Sequence, residues 1–258
     1  MDPVIGDAVW RPMDDLYDRI APFYDAWSRS VTEDIDFYVE EAIESGGPVV
    51  ELAVGTGRVA VPIARTGIRV IGIDSSPAML AIAAERARAA GVATLLDLRL
   101  GDLREPPVEE RVPLVICPFR SLLHLESEVE KLRALQVAHD LLAPGGRLVF
   151  DVFSPSAEDI AETNGRWLER EPGIFERADW DEEACTLTLA VRRGDEGTSF
   201  RLHWLALPKW LSLLDAAGFE TEAVWGWFDR RPHAGEEDMV FACRRPERAP
   251  RGAGSVSA

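Results

Sequence analysis

Basic residues are in short supply. Lysine and arginine together number 28 against 45 aspartates and glutamates, giving a formal charge of −17 at neutral pH. Such a chain repels nucleic acid and anionic membrane surfaces unless a local basic patch reverses the sign, and the sequence shows no such patch. The expected partner is therefore a small molecule, with no nucleic acid and no membrane. Cysteine is scarce too. Cys117, Cys185 and Cys243 are odd in number, far apart and set in largely apolar runs, which suits reduced structural thiols better than disulfides or a zinc site. No metal is expected, and the compartment this usage points to is the cytoplasm. No apolar run approaches the roughly 20 residues that a membrane span requires, and the acidic start Met1-Asp2-Pro3 does not read as a signal peptide. Internal repeats are absent as well.

What is present is core-forming material. Across 258 residues, 47% are hydrophobic, enough for a chain of this size to bury a real core and fold alone, as a monomer or homodimer. The order of elements is legible. A polar arm runs to about Met13, and the aromatic-rich stretch from Asp14 to Trp27 reads as short helices broken near Pro22, laid on the body as a flap, with Tyr17 or Tyr24 able to reach a ligand. Ile35, Val39, Ala42 and Ile43 mark one face of a helix. Apolar strands follow at Val49–Leu52, Arg69–Asp74, Leu95–Leu100, Val112–Pro118 and Arg147–Phe153. The helices between them are punctuated by Ser76 and Pro77 at one start, Gly91 past one end, and a capping-box spacing from Ser127 to Glu130. That alternation predicts an α/β fold with a doubly wound, mostly parallel sheet whose ligand sits at the carboxyl ends of the strands. After Phe153 the pattern changes. Ile174–Trp180, Ala184–Arg192 and Phe200–Leu207 read as strands with no helical crossover, a small antiparallel insertion. A helix from Pro208 and a closing antiparallel pair, Phe219–Phe228 with Met239–Arg244, complete the body. The expected division is a helical flap (1–45), a Rossmann-like ligand-binding core (46–155), the insertion as an acceptor cap (156–206), completion of the core (207–245) and a disordered tail (246–258).

The stretch that organises the rest is Val49-Val50-Glu51-Leu52-Ala53-Val54-Gly55-Thr56-Gly57-Arg58. A strand runs into two glycines one residue apart and then into a helix, so the chain turns where a β-carbon is poorly tolerated and points backbone N–H groups outward. Glu51 lies inside the apolar run, where an unpaired carboxylate is costly. It reads as facing the ligand or tying down the loop. Gly55-Thr56-Gly57-Arg58-Val59-Ala60 also fits a dinucleotide fingerprint, with Asp74 where a ribose-binding acid belongs. S-adenosylmethionine is the competing ligand, since it has a ribose for Asp74 but no pyrophosphate.

Glu51 four residues before Gly55, Gly101-Asp102-Leu103 at the third strand's end, Leu141-Leu142-Ala143-Pro144-Gly145-Gly146 before the fifth and the closing strand pair favour the second ligand. As a set, over roughly residues 14–245, they resemble the class I S-adenosylmethionine-dependent methyltransferases of small-molecule type. The resemblance implies a seven-stranded Rossmann-like sheet and S-adenosyl-L-methionine as cofactor. It implies Glu51, Ala53 and Gly55 around the methionine portion, with Tyr24, Gly57 and Arg58 nearby, and Asp74 with Ser75 at the ribose. Met79 would flank the adenine, Asp102 and Leu103 would bond its edge, and Phe119 would lie near the sulfonium. Ala53 departs from the glycine that many members carry there.

Methyl transfer from a sulfonium asks mainly for alignment in a water-poor pocket. Where the acceptor must lose a proton, His124 after the fourth strand is the candidate base, with Tyr24 beside it; His203 and His233 are weaker candidates. Arg120, His124, Trp204 and Trp227 are the candidate acceptor contacts. Six of the eight tryptophans lie at or after position 167, which suggests an aromatic-lined cap over a partly apolar acceptor, N- or O-methylated, as in natural-product or amino-sugar intermediates. A protein that keeps the cofactor pocket for a non-methylating, cyclase-like or regulatory task and an NAD-dependent oxidoreductase are the alternatives that the sequence leaves open.

Overall fold

The computed structural model describes residues 16–247; the proposed N-terminal arm, the start of the flap and the tail beyond Glu247 lie outside them. The chain opens with α1 (Leu16–Trp27) and α2 (Glu33–Ser45), then alternates β1 (Val49–Leu52), α3 (Ala60–Arg65), β2 (Val70–Asp74), α4 (Pro77–Ala89) and β3 (Leu96–Leu100). β4 (Val112–Cys117) leads into a 3₁₀ turn over Ser121–His124, α5 (Glu128–Leu141) and β5 (Leu142–Phe153). Next come α6 (Ala157–Thr163), β6 (Trp167–Glu171), β7 (Ile174–Asp181), β8 (Thr186–Arg193) and β9 (Glu196–His203). α7 (Leu207–Ala216), β10 (Glu220–Trp225) and β11 (Asp238–Arg244) close the chain.

Seven strands form one sheet in the order β10-β11-β5-β4-β1-β2-β3. β1 pairs in parallel with β2 and β4, and only the β11 pairings to β5 and β10 are antiparallel. Helices cover both faces, so β1 is buried throughout and β2 and β4 nearly so, and continuous apolar runs rather than alternation mark them. The order reverses between β1 and β4, and the carboxyl tips beside that reversal are where such folds open a crevice. Local signals place the helix ends. Ser76 Oγ accepts from Met79 N at 3.1 Å with Pro77 in the first turn of α4, and Gly91 takes φ 73° just past its end. At α5, Ser127 Oγ accepts from Glu130 N at 3.2 Å, but the Glu130 carboxylate returns to Glu126 N at 2.9 Å, one residue earlier than the expected box.

The second sheet, β6-β7-β8-β9, is antiparallel throughout. The insertion is thus antiparallel as expected, with differences. α6 and β6 precede the three expected strands. The stretch expected to be a polar turn, Arg193 to Gly197, is mostly strand, because Arg193 pairs with Glu196 across a two-residue turn at Gly194-Asp195, a tight hairpin in which Gly194 takes φ 59°. The broken flap is also corrected. α1 is one helix with Pro22 inside it. Proline there removes one backbone donor, and side-chain bonds to four other segments hold the helix instead.

Candidate functional site

The bend after β1 is built by three left-handed residues: Ala53 at φ 59°, Gly55 at 54° and Gly57 at 74°. A β-carbon on Gly55 would meet nothing within 4 Å, whereas one on Gly57 would press on Ala83 Cβ at 3.3 Å. Gly55 therefore faces open space and Gly57 faces the packing of α4. Asp74, at the tip of β2, accepts from Gly55 N at 2.8 Å through Oδ2 and from Ser76 N at 2.9 Å through Oδ1. One carboxylate thus pins the bend to the neighbouring strand tip. Burial pushes its pKa up, and the backbone donors pull against that.

A cavity of about 540 Å³ lies above this bend, within the range of small-molecule sites. Ala53, Gly55, Asp74, Ser75 and Met79 form its floor at one end, and Asp102, Leu103 and Phe119 continue the wall. Tyr24, Arg120, His124 and Trp227 line it as well. The structure thus brings most of the expected residues to one hollow, with Asp74 and Asp102 on the same side of the molecule. Four expected residues are not on the wall. Glu51 is 2% exposed within β1; its Oε2 has no hydrogen-bond partner and desolvation drives its pKa well up. Gly57 turns toward α4. Arg58 forms a two-pronged bond to Asp34, both distances 2.6 Å, and lays its guanidinium 4.9 Å from the Phe119 ring centre. Trp204, expected to touch the acceptor, instead backs Trp180 with ring centres 5.4 Å apart.

Asp102 is also less free than a bare strand-end carboxylate. Its oxygens take Arg104 N at 2.7 Å, Nε at 2.9 Å and Nη2 at 2.6 Å, and the guanidinium holds its pKa low. Any purine edge would share those oxygens with Arg104.

α1 closes one side of the cavity. Asp18 accepts from Ser76 Oγ and, at 3.1 Å, from Ala78 N; Asp25 accepts from Thr56 Oγ1 at 2.6 Å and pairs with Arg86. Tyr17 Oη and His124 Nε2 lie 2.7 Å apart. Burial pushes the His124 imidazole down to about 4, helped by the Lys131 charge, so it is neutral near pH 7. The Tyr17 phenol is driven up by burial. Tyr24 sits edge-on to both Tyr17 and Phe119. The second sheet roofs the hollow with Ala178, Trp180, Leu187, Leu189, Phe200 and Leu202, and Trp27 Nε1 on α1 donates to Glu176 Oε2 on β7 at 3.2 Å.

One residue escaped sequence reasoning. Asp151, inside β5, is 6% exposed and lines the cavity. It accepts from Tyr38 Oη at 2.6 Å, Phe119 N at 2.8 Å and Arg120 N at 3.0 Å. A carboxylate within an otherwise apolar strand was the available signal, the same one that singled out Glu51.

A seven-stranded sheet with one reversed strand, a glycine bend and acids at successive strand tips defines the class of S-adenosylmethionine-dependent methyltransferases. The comparisons agree. Residues 49–146 match the family described as "Methyltransferase domain". An uncharacterised methyltransferase of Oceanobacillus iheyensis is 30% identical over 211 residues, covering 80% of this chain and 93% of that one. A putative methyltransferase of Bacillus subtilis is 28% identical over 143 residues, and the chain spans 53% of its length. The structure of the CcbJ methyltransferase from Streptomyces caelestis superposes with a TM-score of 0.75 at 27% identity, covering 84% of this chain and 98% of that one. CalS10, an amino pentose methyltransferase from Micromonospora echinaspora involved in calicheamicin biosynthesis and solved with S-adenosylmethionine bound, shares the fold, with a TM-score of 0.61 at 20% identity over 93% and 99% of the two chains. This chain belongs to the class I S-adenosylmethionine-dependent methyltransferases, and its cofactor is S-adenosyl-L-methionine. The dinucleotide reading of the glycine loop gives way.

Proposed function

We propose that the enzyme methylates a nitrogen or oxygen of a small, partly apolar molecule such as a natural-product or amino-sugar intermediate. The observation that carries this reading is the continuity of one hollow from the acids at the strand tips to the largely apolar roof of the second sheet. One end suits an adenosyl group and the other a body with apolar surface. The amino pentose methyltransferase that shares the fold supports the same acceptor class.

The floor residues fit the cofactor. The open space above Gly55 admits a ligand against backbone, and Asp74 has lone pairs left for ribose hydroxyls beyond its two backbone bonds. In this reading Ala53 and Gly55 adjoin the methionine portion, Ser75 supports the ribose and Met79 flanks the adenine. Asp102 and Leu103 bond the adenine edge, and Phe119 lies near the sulfonium. Glu51 contributes from behind the bend. When bound, the cofactor supplies a methyl group on a positively charged sulfur, open to in-line displacement by a lone pair. The protein's part is to align that lone pair and exclude water; α1 and the second sheet are the elements that cover the hollow. For an acceptor that carries a proton on the attacking atom, Tyr17 Oη and His124 Nε2, 2.7 Å apart, are the groups placed to take it, with burial of the imidazole opposing the charge it would gain.

Incubating the purified protein with S-adenosylmethionine and a panel of amino sugars, phenols and amines, read by mass spectrometry, tests the reading. A gain of one methyl mass on a panel member with formation of S-adenosylhomocysteine is expected. Cofactor binding with no methylated product from any class of acceptor overturns it.

A further inference from the structure

Phe119 and Arg120 adopt φ 58° and 59° in succession. A side-chain-bearing residue in the left-handed region costs about 1–2 kcal/mol, so two in a row persist only where the surroundings hold them. What holds them is visible. The Asp151 carboxylate takes one backbone N–H from each residue and a third donor from Tyr38 on α2. The loop held this way sets the Phe119 ring nearly perpendicular to Tyr24 and 4.9 Å from the Arg58 guanidinium and turns Arg120 toward Asp238, at 2.7 Å. We propose that Asp151 is a positioning residue for methyl transfer, setting Phe119 and Arg120 against the reacting groups by gripping their backbone N–H groups. The proposal rests on the cofactor reading above.

The grip depends on charge. An ionised carboxylate has acceptors for all three donors, while a protonated one points its own O–H at a neighbour that also donates. Burial pushes the Asp151 carboxyl up to about 6, and the Tyr38 hydroxyl and Phe119 N–H oppose that rise. The titratable and charged groups around it are Tyr38 and Asp34 on α2, Cys117 at the end of β4, Arg120 on the loop and Arg58 after the bend. Asp34 and Arg58 neutralise each other, and Arg120 is paired with Asp238. The three-donor grip is therefore complete above about pH 6 and lost as pH falls through that value.

Calorimetric affinity of the full chain for S-adenosylhomocysteine between pH 5 and 8 tests this. Wild type should hold a constant affinity above neutrality and weaken with a midpoint near 6. Tyr38→Phe removes a donor that favours the ionised form, so its midpoint should move to higher pH. Asp151→Asn keeps the shape but sets an amide against the donors; it should bind roughly tenfold or more weakly at pH 7.5 and show no such midpoint. A structural defect alone would lower affinity at every pH without moving the midpoint. An unmoved midpoint in Tyr38→Phe overturns the proposal, as does unaltered affinity in Asp151→Asn; if the latter does not fold, Tyr38→Phe decides. Wild type that binds at no pH would overturn the cofactor reading instead.

Discussion

At Ala53 a β-carbon sits on backbone at φ 59°, a conformation that costs a non-glycine residue about 1–2 kcal/mol. A glycine at this position would avoid that cost. Glycine also loses more freedom on folding, roughly 0.5–1 kcal/mol, so Ala53→Gly should raise stability by less than about 1 kcal/mol, seen as a higher urea midpoint at unchanged slope. A lower midpoint would mean that the alanine methyl contributes more by packing than the backbone loses. His124 offers a second test at the same scale. Its folded pKa of about 4 lies below the value of 6.5 for a free imidazole, so between those values the unfolded chain binds the extra proton and stability falls as pH drops. Asp151, raised to about 6 from 3.8, acts with the opposite sign over its own window. His124→Gln should therefore lose less stability between pH 7 and 5 than wild type does, by urea titration at both values. An equal loss would mean that the imidazole is not desolvated.

Among the elements, α1 departs furthest from its sequence signals. Pro22 is exposed and stands inside the helix, where the missing donor and the ring's clash with the preceding turn cost on the order of 3 kcal/mol. The compensation is tertiary: Asp18 to α4, Asp25 to Thr56 and Arg86, Tyr17 to His124 and Trp27 to the second sheet. Pro22→Ala changes an exposed position and restores the donor, so it should stabilise the protein by about 1–3 kcal/mol and slow amide exchange in α1. Faster exchange there would show that the proline ring itself packs. At this scale much was readable in advance. Ser76, Pro77 and Gly91 bound α4 through contacts within a few residues, and the apolar runs of β1, β2 and β4 announced strands buried on both sides. α6 and β6 were not readable: one is barely two largely polar turns, the other a short edge strand whose exposure leaves no apolar pattern.

Across the whole molecule, two separate layers meet over one hollow. The seven-stranded sheet supplies the end that carries Asp74 and Asp102, proposed to hold the cofactor, and the four-stranded sheet the roof, so damage to one need not reach the other. Trp180 lines the roof, anchored by Nε1 to Thr163 Oγ1 at 2.9 Å and edge-on to Phe153. Trp180→Leu should raise the acceptor KM roughly tenfold through lost apolar contact while leaving the S-adenosylhomocysteine affinity as it is. Equal losses in both would tie the roof to the cofactor end. No described helix is long and apolar enough to cross a membrane.

Short-range signals were sufficient to establish the strands of the large sheet and the helices between them, the glycine bend and the acids at the tips of β2 and β3, because propensity, capping and apolar period act within a few residues of one another. Tertiary structure alone decided that Arg58 and Trp204 stand behind the wall, that Tyr17 meets His124 across 107 positions and that Asp151 grips the Phe119 loop from β5. Partners so far apart are selected by burial, which forces each desolvated polar group to accept whichever donor the packed fold brings near.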